Sequence, residues 1–537
     1  MIQKATRLSA IAHQQVRLTA RLDALRAVSN RFSWARVLIF LGGVVGVSAL
    51  YFLAGAWPFL LLLIATVVLF IIILVRHRRV DAMIRRLELL RTFKEEQIAR
   101  AHVVWRDLPA AQVTTAQPEH PFQSDLDLVG DYGLHRLLDT TATTGGRDLL
   151  LQWLSETDPQ AEAIAARQAL VAELVPRSLF RLRLWVEAHA TGETTRWRPA
   201  DLLTWLDQHE QPTRMRPRLM LLTALAAFNA IAFLGAWLGW FGPIWQISVP
   251  LYLIIYFAIS QPARTVFQEA TSLQAAIEQF TAVVTHVESF GYGGAPKLRA
   301  LCAPLVDAAQ RPSALLGKVK TVAAATGIQG NPIIWLVLNI VVPWDYFFAF
   351  QLHRHKRAIA AHAPEWLAIW AELEALSALA NLGYLNPHYV QPVISAADTL
   401  HAGESPLFRA TQLGHPLLPE TGLEANTESG KVRNDFQLAT LGDVVILTGS
   451  NMAGKSTFLR TVGVNLALAY AGGMVDARQL DTALFRLFTC IKVSDSVADG
   501  ISYFYAEVRR LKGLLVALDE ADPRPLFFLI DEIFRGT

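Results

Sequence analysis

Gly449, Ser450, Asn451, Met452, Ala453, Gly454, Lys455, Ser456 and Thr457 together fit the phosphate-binding pattern G-x-x-x-x-G-K-[ST]. Backbone N–H groups of such a turn and the positive end of the helix behind it converge on one point, and that point suits phosphate. Lys455 is placed to reach the β- and γ-phosphates of ATP, and the Ser456 hydroxyl to hold Mg2+. Near the end of the chain the apolar run Leu526-Phe-Phe-Leu-Ile530 is followed by Asp531 and Glu532. Asp531 would bind Mg2+, directly or through water, and Glu532 would orient or deprotonate the attacking water. Acids often end strands at solvent, so this pair gains its weight from position. It follows Lys455 by about 75 residues, the order and scale of one domain.

These side chains need particular elements beneath them. Asp443-Val-Val-Ile-Leu-Thr448 reads as a short buried strand leading into the loop, and Phe458 to Leu468 as the helix leading out. Strand, glycine-rich turn and helix is the context the motif requires. From about residue 400 short apolar runs alternate with helical stretches, which predicts an α/β domain with a largely parallel sheet.

The sequence Thr448-Gly-Ser-Asn-Met-Ala-Gly-Lys-Ser-Thr-Phe-Leu-Arg460 resembles the phosphate loop of the MutS family of DNA mismatch-repair ATPases, in which the Asn-Met pair is typical. Asp495 to Glu507, with Ser502, Phe504 and Glu507 at the matching places, resembles that family's second motif. Asp531-Glu-Ile-Phe-Arg-Gly-Thr537 resembles its Walker B segment, and Gly414-His-Pro-Leu-Leu418 the element that opens its ATPase domain. Upstream, Leu137 to Arg147, Leu149 to Leu154 and Ile164 to Gln168 are similar to the start of its helical core. Glu372 to Ala380, with Tyr389 to Pro392 beyond, is similar to the end of that core.

The resemblance implies a fold class: an ABC-type α/β P-loop NTPase domain at the C-terminal end, preceded by an all-α core and lever domain. It implies that Asn451 faces the γ-phosphate and that Ser502 reaches the nucleotide of a partner subunit, so the ATPase domains form a homodimer. The alternative for Ser502 is a helix N-cap. His415 either contacts the nucleotide region or is a turn histidine beside Pro416. Phe436 either stacks on adenine or is a core residue. Family members continue past this point with a dimer-contacting loop, a switch histidine and further helices, so the sequence reads as truncated after Thr537.

Composition points to a membrane. Of 537 residues 53% are hydrophobic and 18% charged, and the mean hydropathy is +0.31. Val37 to Leu53 and Trp57 to Val75 are two uncharged runs, each about long enough to cross a bilayer, and Leu219 to Leu238 with Ile244 to Ile259 form a second pair. Lys4, Arg7, Arg17, Arg21, Arg26, Arg31 and Arg36 precede the first pair, and Arg76, Arg78, Arg79, Arg85 and Arg86 follow it. Arg214, Arg216 and Arg218 precede the second pair and Arg264 follows it. Cations stay on the cytoplasmic side. The expectation is therefore a multi-pass protein of the inner membrane, with both hairpins pointing outward and the ATPase in the cytoplasm. The run Pro332 to Phe350 contains Asn339, Pro343 and Asp345 and reads as a buried or membrane-surface segment. Cys302 and Cys490 suggest core residues, with no disulfide partner and no metal site.

The organisation that follows is a basic amphipathic leader at 1–32, a transmembrane hairpin at 33–79, a helix and linker at 80–124, the first part of the helical core at 125–213, a second transmembrane hairpin at 214–262, the returning lever and core at 263–398, and the ATPase domain at 399–537. The leader is read as lying on the membrane or on a partner. The second hairpin stands where MutS relatives carry lever helices ending in a DNA clamp, and no Phe-x-Glu mismatch wedge precedes the core. Net charge of +3 is too small to argue for nucleic acid. Two functions remain: a membrane-anchored ATPase acting on duplex DNA in connection with mismatch repair, and a nucleotide-driven dimerisation switch without a DNA role. A transport ATPase is disfavoured, because the Leu-Ser-Gly-Gly-Gln signature is absent.

Overall fold

The computed structural model describes residues 2–54, 56–117, 119–190, 199–207, 212–259, 261–307, 311–326, 332–395, 407–420, 431–450, 453–492, 503–520, 522 and 524–532. The chain divides into two compact units. One holds Met1–Asp139, Trp153–Val171 and Leu379–Thr537; the other holds Thr140–Gln152 and Ala172–Ala378.

The first unit begins with two long helices, α1 (Ile2–Ala54) and α2 (Ala56–His102). On α1 the shielded positions recur as 8, 11, 15, 18, 22, 25, 29, 32, 36, 39, 43, 46 and 50, and on α2 as 59, 62, 66, 70, 73, 77, 80, 84, 87, 91, 94, 98 and 101. Steps of three and four, alternating throughout α1 and, apart from the two fours at 62, 66 and 70, along α2, are a heptad seam, so the helices pair as an antiparallel coiled coil. Gly43 sits in that seam because a Cβ there would come within 2.3 Å of Thr66. One layer of the seam is polar. Arg36 donates to Nδ1 of His77 at 3.1 Å, which leaves the ring proton on Nε2 to meet Ser29 Oγ at 2.9 Å, and Ser29 donates to Asp81 at 2.8 Å.

At its foot the pair is tied to the body. Lys4 donates to Asn386 at 2.7 Å, Arg7 donates to the Tyr384 carbonyl and lies over its ring, and Ile11 packs with Ala101 and Leu385. The buried Arg100 donates to the carbonyls of Arg136, Leu137 and Asp139 at 2.6–2.8 Å. Those carbonyls close helix α3 (Leu134–Leu138), the first of the short helices; α4 (Thr144–Leu154), most of it in the second unit, and α5 (Ala161–Leu174), most of it in the first, follow.

The second unit is helical throughout its described residues. It holds α6 (Ser178–His189), α7 (Pro199–Asp207), α8 (Pro212–Trp237), α9 (Trp245–Ile259), α10 (Gln261–Ser289), α11 (Pro296–Leu301), α12 (Ala303–Val306), α13 (Pro312–Thr326), α14 (Pro332–Val341) and α15 (Trp344–Ala360). Helix α16 (Ala363–Leu385) carries the chain back toward the first unit. Within the second unit Glu374 of α16 accepts from the amides of Ala142 and Thr143 at 3.2 Å and from the Thr143 hydroxyl at 2.6 Å. Gly146 has no room for a side chain there, since a Cβ would stand 2.4 Å from that carboxylate. Three described helices, Gln3–Tyr51, Pro58–His102 and Met215–Trp237, are long and apolar enough to cross a membrane.

The last third holds β1 (Val393–Ser395), β2 (Phe408–Leu413), β3 (Asn434–Leu438), α17 (Lys455–Tyr470), β4 (Gln479–Ala483), β5 (Arg486–Cys490), α18 (Tyr503–Asp519) and β6 (Leu526–Ile530). The expected largely parallel sheet of a P-loop domain is not what these strands build. One sheet runs β1-β4-β2-β3, parallel only between β1 and β4 and antiparallel elsewhere, and a second holds the parallel pair β5 and β6 alone. The run Asp443–Thr448 is in no ladder, and Ile446 is 81% exposed. A buried parallel strand needs hydrogen-bonded neighbours and both faces covered, and no described strand pairs with this run. The fold of the described residues is predominantly helical with short strands.

Candidate functional site

Helix α17 starts at Lys455, preceded by Gly454 with φ of +84°. Only a residue without Cβ takes that conformation cheaply, so the glycine turns the chain out of the loop and aims the first free amides of α17 at its mouth. The loop closes through Ala453 N to Ser450 O at 3.2 Å and Phe458 N to Gly454 O at 2.9 Å. Lys455 Nζ donates to the Gly449 carbonyl at 2.7 Å, which holds its charge across the same mouth. Thr457 stands in the first turn of α17, its carbonyl accepting from the Thr461 hydroxyl at 2.6 Å. Asn451, Met452 and Ser502 lie outside the described residues.

Strand β6 ends at Ile530, and Asp531 directly follows. Its amide donates to the Cys490 carbonyl at 3.0 Å, continuing the β5–β6 register by one residue. That register aims the Asp531 carboxylate at α17, where the Ser456 hydroxyl donates to it across 75 positions of sequence. Glu532 takes φ of +43°, left-handed for a residue with a side chain. A hydroxyl and a carboxylate so placed are oxygen ligands of the kind Mg2+ takes, and the neighbouring ammonium and first helix amides are N–H donors of the kind a phosphate takes.

Beside this point opens a cleft of about 630 Å3, lined by Phe436, Leu438, Ile446, Lys455, Phe458 and Asp531 among others. Phe436 is half-buried, with its ring edge-on to Phe458 at 5.4 Å. His415 is not among the residues that line this cleft. It is buried, its Nδ1 accepts from the Leu417 amide at 3.2 Å, and burial first, then Lys431, pushes its pKa down to about 4.

Two features carry no motif. The first is the segment before α3. Asp125, 1% exposed, accepts from the Thr489 hydroxyl at 2.7 Å and from the amides of Ile491 and Lys492. Asp127, at φ of +51°, meets Lys492 at 2.5 Å and Arg460 of α17 at 3.5 Å. Leu126 is fully buried, so close to α17 that a Cβ on Gly463 would stand 2.5 Å away. Residues 121–128 therefore strap α17 to β5. The signal was present in Asp125-Leu-Asp-Leu128, an alternation of polar and apolar residues with the strand period.

The second is an ionic hub. Asp476, fully buried, receives Lys431 at 2.7 Å and Arg433 at 2.6 Å, and Glu420 receives Arg433 and His388 at 3.0 Å each. His388, Glu420 and Asp476 have metal-like spacing. Two cations already balance the two carboxylates, so little net charge is left to draw a divalent ion. The hub reaches α17 through Asn465, whose side chain accepts from the Asp476 amide at 2.9 Å and donates to the Gly414 carbonyl at 3.0 Å. Cys302 and Cys490 are buried free thiols.

The family model for MutS domain V matches residues 445–537. Among curated proteins, the chain is 35% identical over 173 residues to a DNA mismatch repair protein MutS of Chloroflexus aurantiacus, covering 32% of this chain and 16% of that protein. It is 33% identical over 186 residues to the DNA mismatch repair protein MutS 2 of Halobacterium salinarum, covering 34% and 19%. Against MutS of Thermus thermophilus it is 33% identical over 198 residues, covering 36% and 21%. The chain thus spans about a fifth or less of the length of these relatives.

Proposed function

We propose, from the premise that its last third makes this a MutS-family protein, that the chain is a membrane-anchored ATPase that binds and hydrolyses ATP with Mg2+ and acts on duplex DNA in connection with mismatch repair. The observation that carries the reading is the meeting of Ser456 and Asp531 at the start of α17, beside Lys455 and the left-handed Gly454. Mg2+ bound by the Ser456 hydroxyl and Asp531 would neutralise phosphate charge. Lys455 would leave the Gly449 carbonyl for a phosphate oxygen, a stronger, charge-assisted partner. The first amides of α17 would bind the same oxygens. Glu532 would hold the attacking water in line, so catalysis rests on position and electrostatics. The ATPase domains would pair as a homodimer, with Ser502 completing the partner's site.

A second reading, a nucleotide-driven dimerisation switch without DNA, draws support from the foot of the first hairpin. Lys4 and Arg7 bind the end of α16 two residues from the hub that reaches α17. In that reading the output of nucleotide binding is movement of the hairpin.

The test is binding of labelled ATP to the detergent-solubilised full chain. Wild type is expected to bind with a Mg2+ requirement, and Lys455→Ala to lose at least about tenfold in affinity, one charge-assisted contact. Equal binding by Lys455→Ala would remove the site. Duplex DNA is the second arm: binding that weakens steeply with salt favours the first reading, and none at low salt favours the second.

A further inference from the structure

The second unit contains a corner that its sequence does not explain as a span. Helix α14 has 10 residues, a rise of about 15 Å, or half of a roughly 30 Å hydrocarbon core. It then meets α15 at an angle of 82°. Asn339 and Asp345, at the two sides of the corner, are both fully buried.

Their polar groups are all spoken for. The Asp345 carboxylate accepts from Trp335 Nε1 at 2.8 Å and from the Tyr256 hydroxyl at 3.1 Å, and the Asp345 amide donates to Asn339 Oδ1 at 3.1 Å. Tyr252 donates to the Asn339 carbonyl at 2.6 Å. At the corner itself Val342 N reaches Leu338 O, Trp344 N reaches Val342 O and Phe347 N reaches Pro343 O, at 2.6–2.9 Å, while Pro343 has no amide to satisfy. Irregular backbone survives at membrane depth only when every such group finds a partner inside the protein.

The outer side of the corner is apolar, with Val341 60% and Val342 44% exposed. Its inner side joins Met215, Leu222 and Ala226 of α8 to Tyr346 and Ala349 of α15. Both flanks are basic in sequence, with Lys318 and Lys320 before and Arg354, Lys356 and Arg357 after. A crossing would carry one of these clusters to the far side, against the preference of cations for the cytoplasmic face.

We infer that Pro332–Phe350 is a re-entrant wedge that enters the cytoplasmic leaflet, meets lipid acyl chains at Val341–Val342 and returns to the side it came from, pinned to the second hairpin through Asp345. Inserted symmetrically, an 82° corner sets each leg about 50° from the membrane normal and its apex about 10 Å deep. The inference rests on the membrane reading of the α8–α9 hairpin and adds that the chain after it stays on the same side.

Single cysteines test it, in the full chain with Cys302→Ala and Cys490→Ala, expressed in a bacterial inner membrane. The probe is a membrane-impermeant maleimide. In intact spheroplasts Trp240→Cys, in the turn of the second hairpin, should react, while Arg311→Cys and His362→Cys should react only after permeabilisation. Reaction of Trp240→Cys with opposite accessibility at 311 and 362 overturns the wedge and leaves the hairpin intact. A Trp240→Cys that is shielded from outside overturns the membrane reading and the wedge with it. For the pin, Val341→Cys in permeabilised membranes should label slowly, and adding Asp345→Ala should raise its rate about tenfold, as expected when a buried hydrogen-bond acceptor is removed and its donors are left unpaired. An unchanged rate overturns the role of Asp345.

Discussion

His415 is shut away from water and held neutral, and that has a consequence in pH. Its folded pKa is pushed down to about 4, against about 6.5 in an unfolded chain. The unfolded state therefore takes up a proton first as pH falls. Stability from this group is complete above pH 6.5, declines between 6.5 and 4, and is gone below 4, with a total of about 3 kcal/mol. Thermal unfolding in detergent should show it: wild type loses more stability between pH 7 and pH 5 than His415→Gln does, and equal losses would refute it. The sequence left His415 open between a nucleotide contact and a turn; the structure places it in the turn, bonded to Leu417. Lys455, Ser456 and Asp531 were readable for a different reason. Their motif is contiguous or ordered along the chain, and strand and helix geometry do the rest.

At the scale of elements, the strap at 121–128 and helix α17 meet with no space between them. Gly463→Val would drive a branched side chain into Leu126 and Leu529, whose atoms stand 2.5–3.0 Å from a Cβ at that position. Overpacking of this kind costs about 1–3 kcal/mol, so the variant should unfold at lower temperature and, on the proposed function, bind ATP more weakly, because α17 follows the proposed phosphate loop. Unaltered stability would mean that the strap does not bear on α17. Such contacts escape a reading of the sequence because they join residues more than 300 positions apart, as Asp125 joins Thr489. Strand pairing escaped it too. Hydropathy marked Asp443–Thr448 as strand-like, but an apolar run does not name its neighbours, and this one has no ladder partner among the described residues. The apolar helices were legible because their signal is length and composition alone: three described helices are long enough to cross a bilayer, while the fourth run, Trp245–Ile259, is a shorter apolar helix.

For the whole molecule, helices of this character predict where it fractionates. The described helices Gln3–Tyr51, Pro58–His102 and Met215–Trp237 present wide apolar surfaces, such as Leu38, Val45 and Leu61 on the first pair and Ile231 on the last. The full chain should stay with the membrane pellet after alkaline carbonate and leave it only in detergent; release by carbonate alone would argue against spanning helices. The seam between α1 and α2 also has a mechanical meaning. Along α1 it runs from the foot at Lys4 and Arg7 to the last turn without a proline or a break in spacing, and the one proline of α2, Pro58, stands in that helix's first turn, so the pair behaves as one stiff rod about 80 Å long. A rod has no place to lose an angle. If binding at α17 tilts its base by about 5°, the far tip sweeps about 7 Å, a displacement the size of a side chain obtained from a rotation too small to repack the core beneath it.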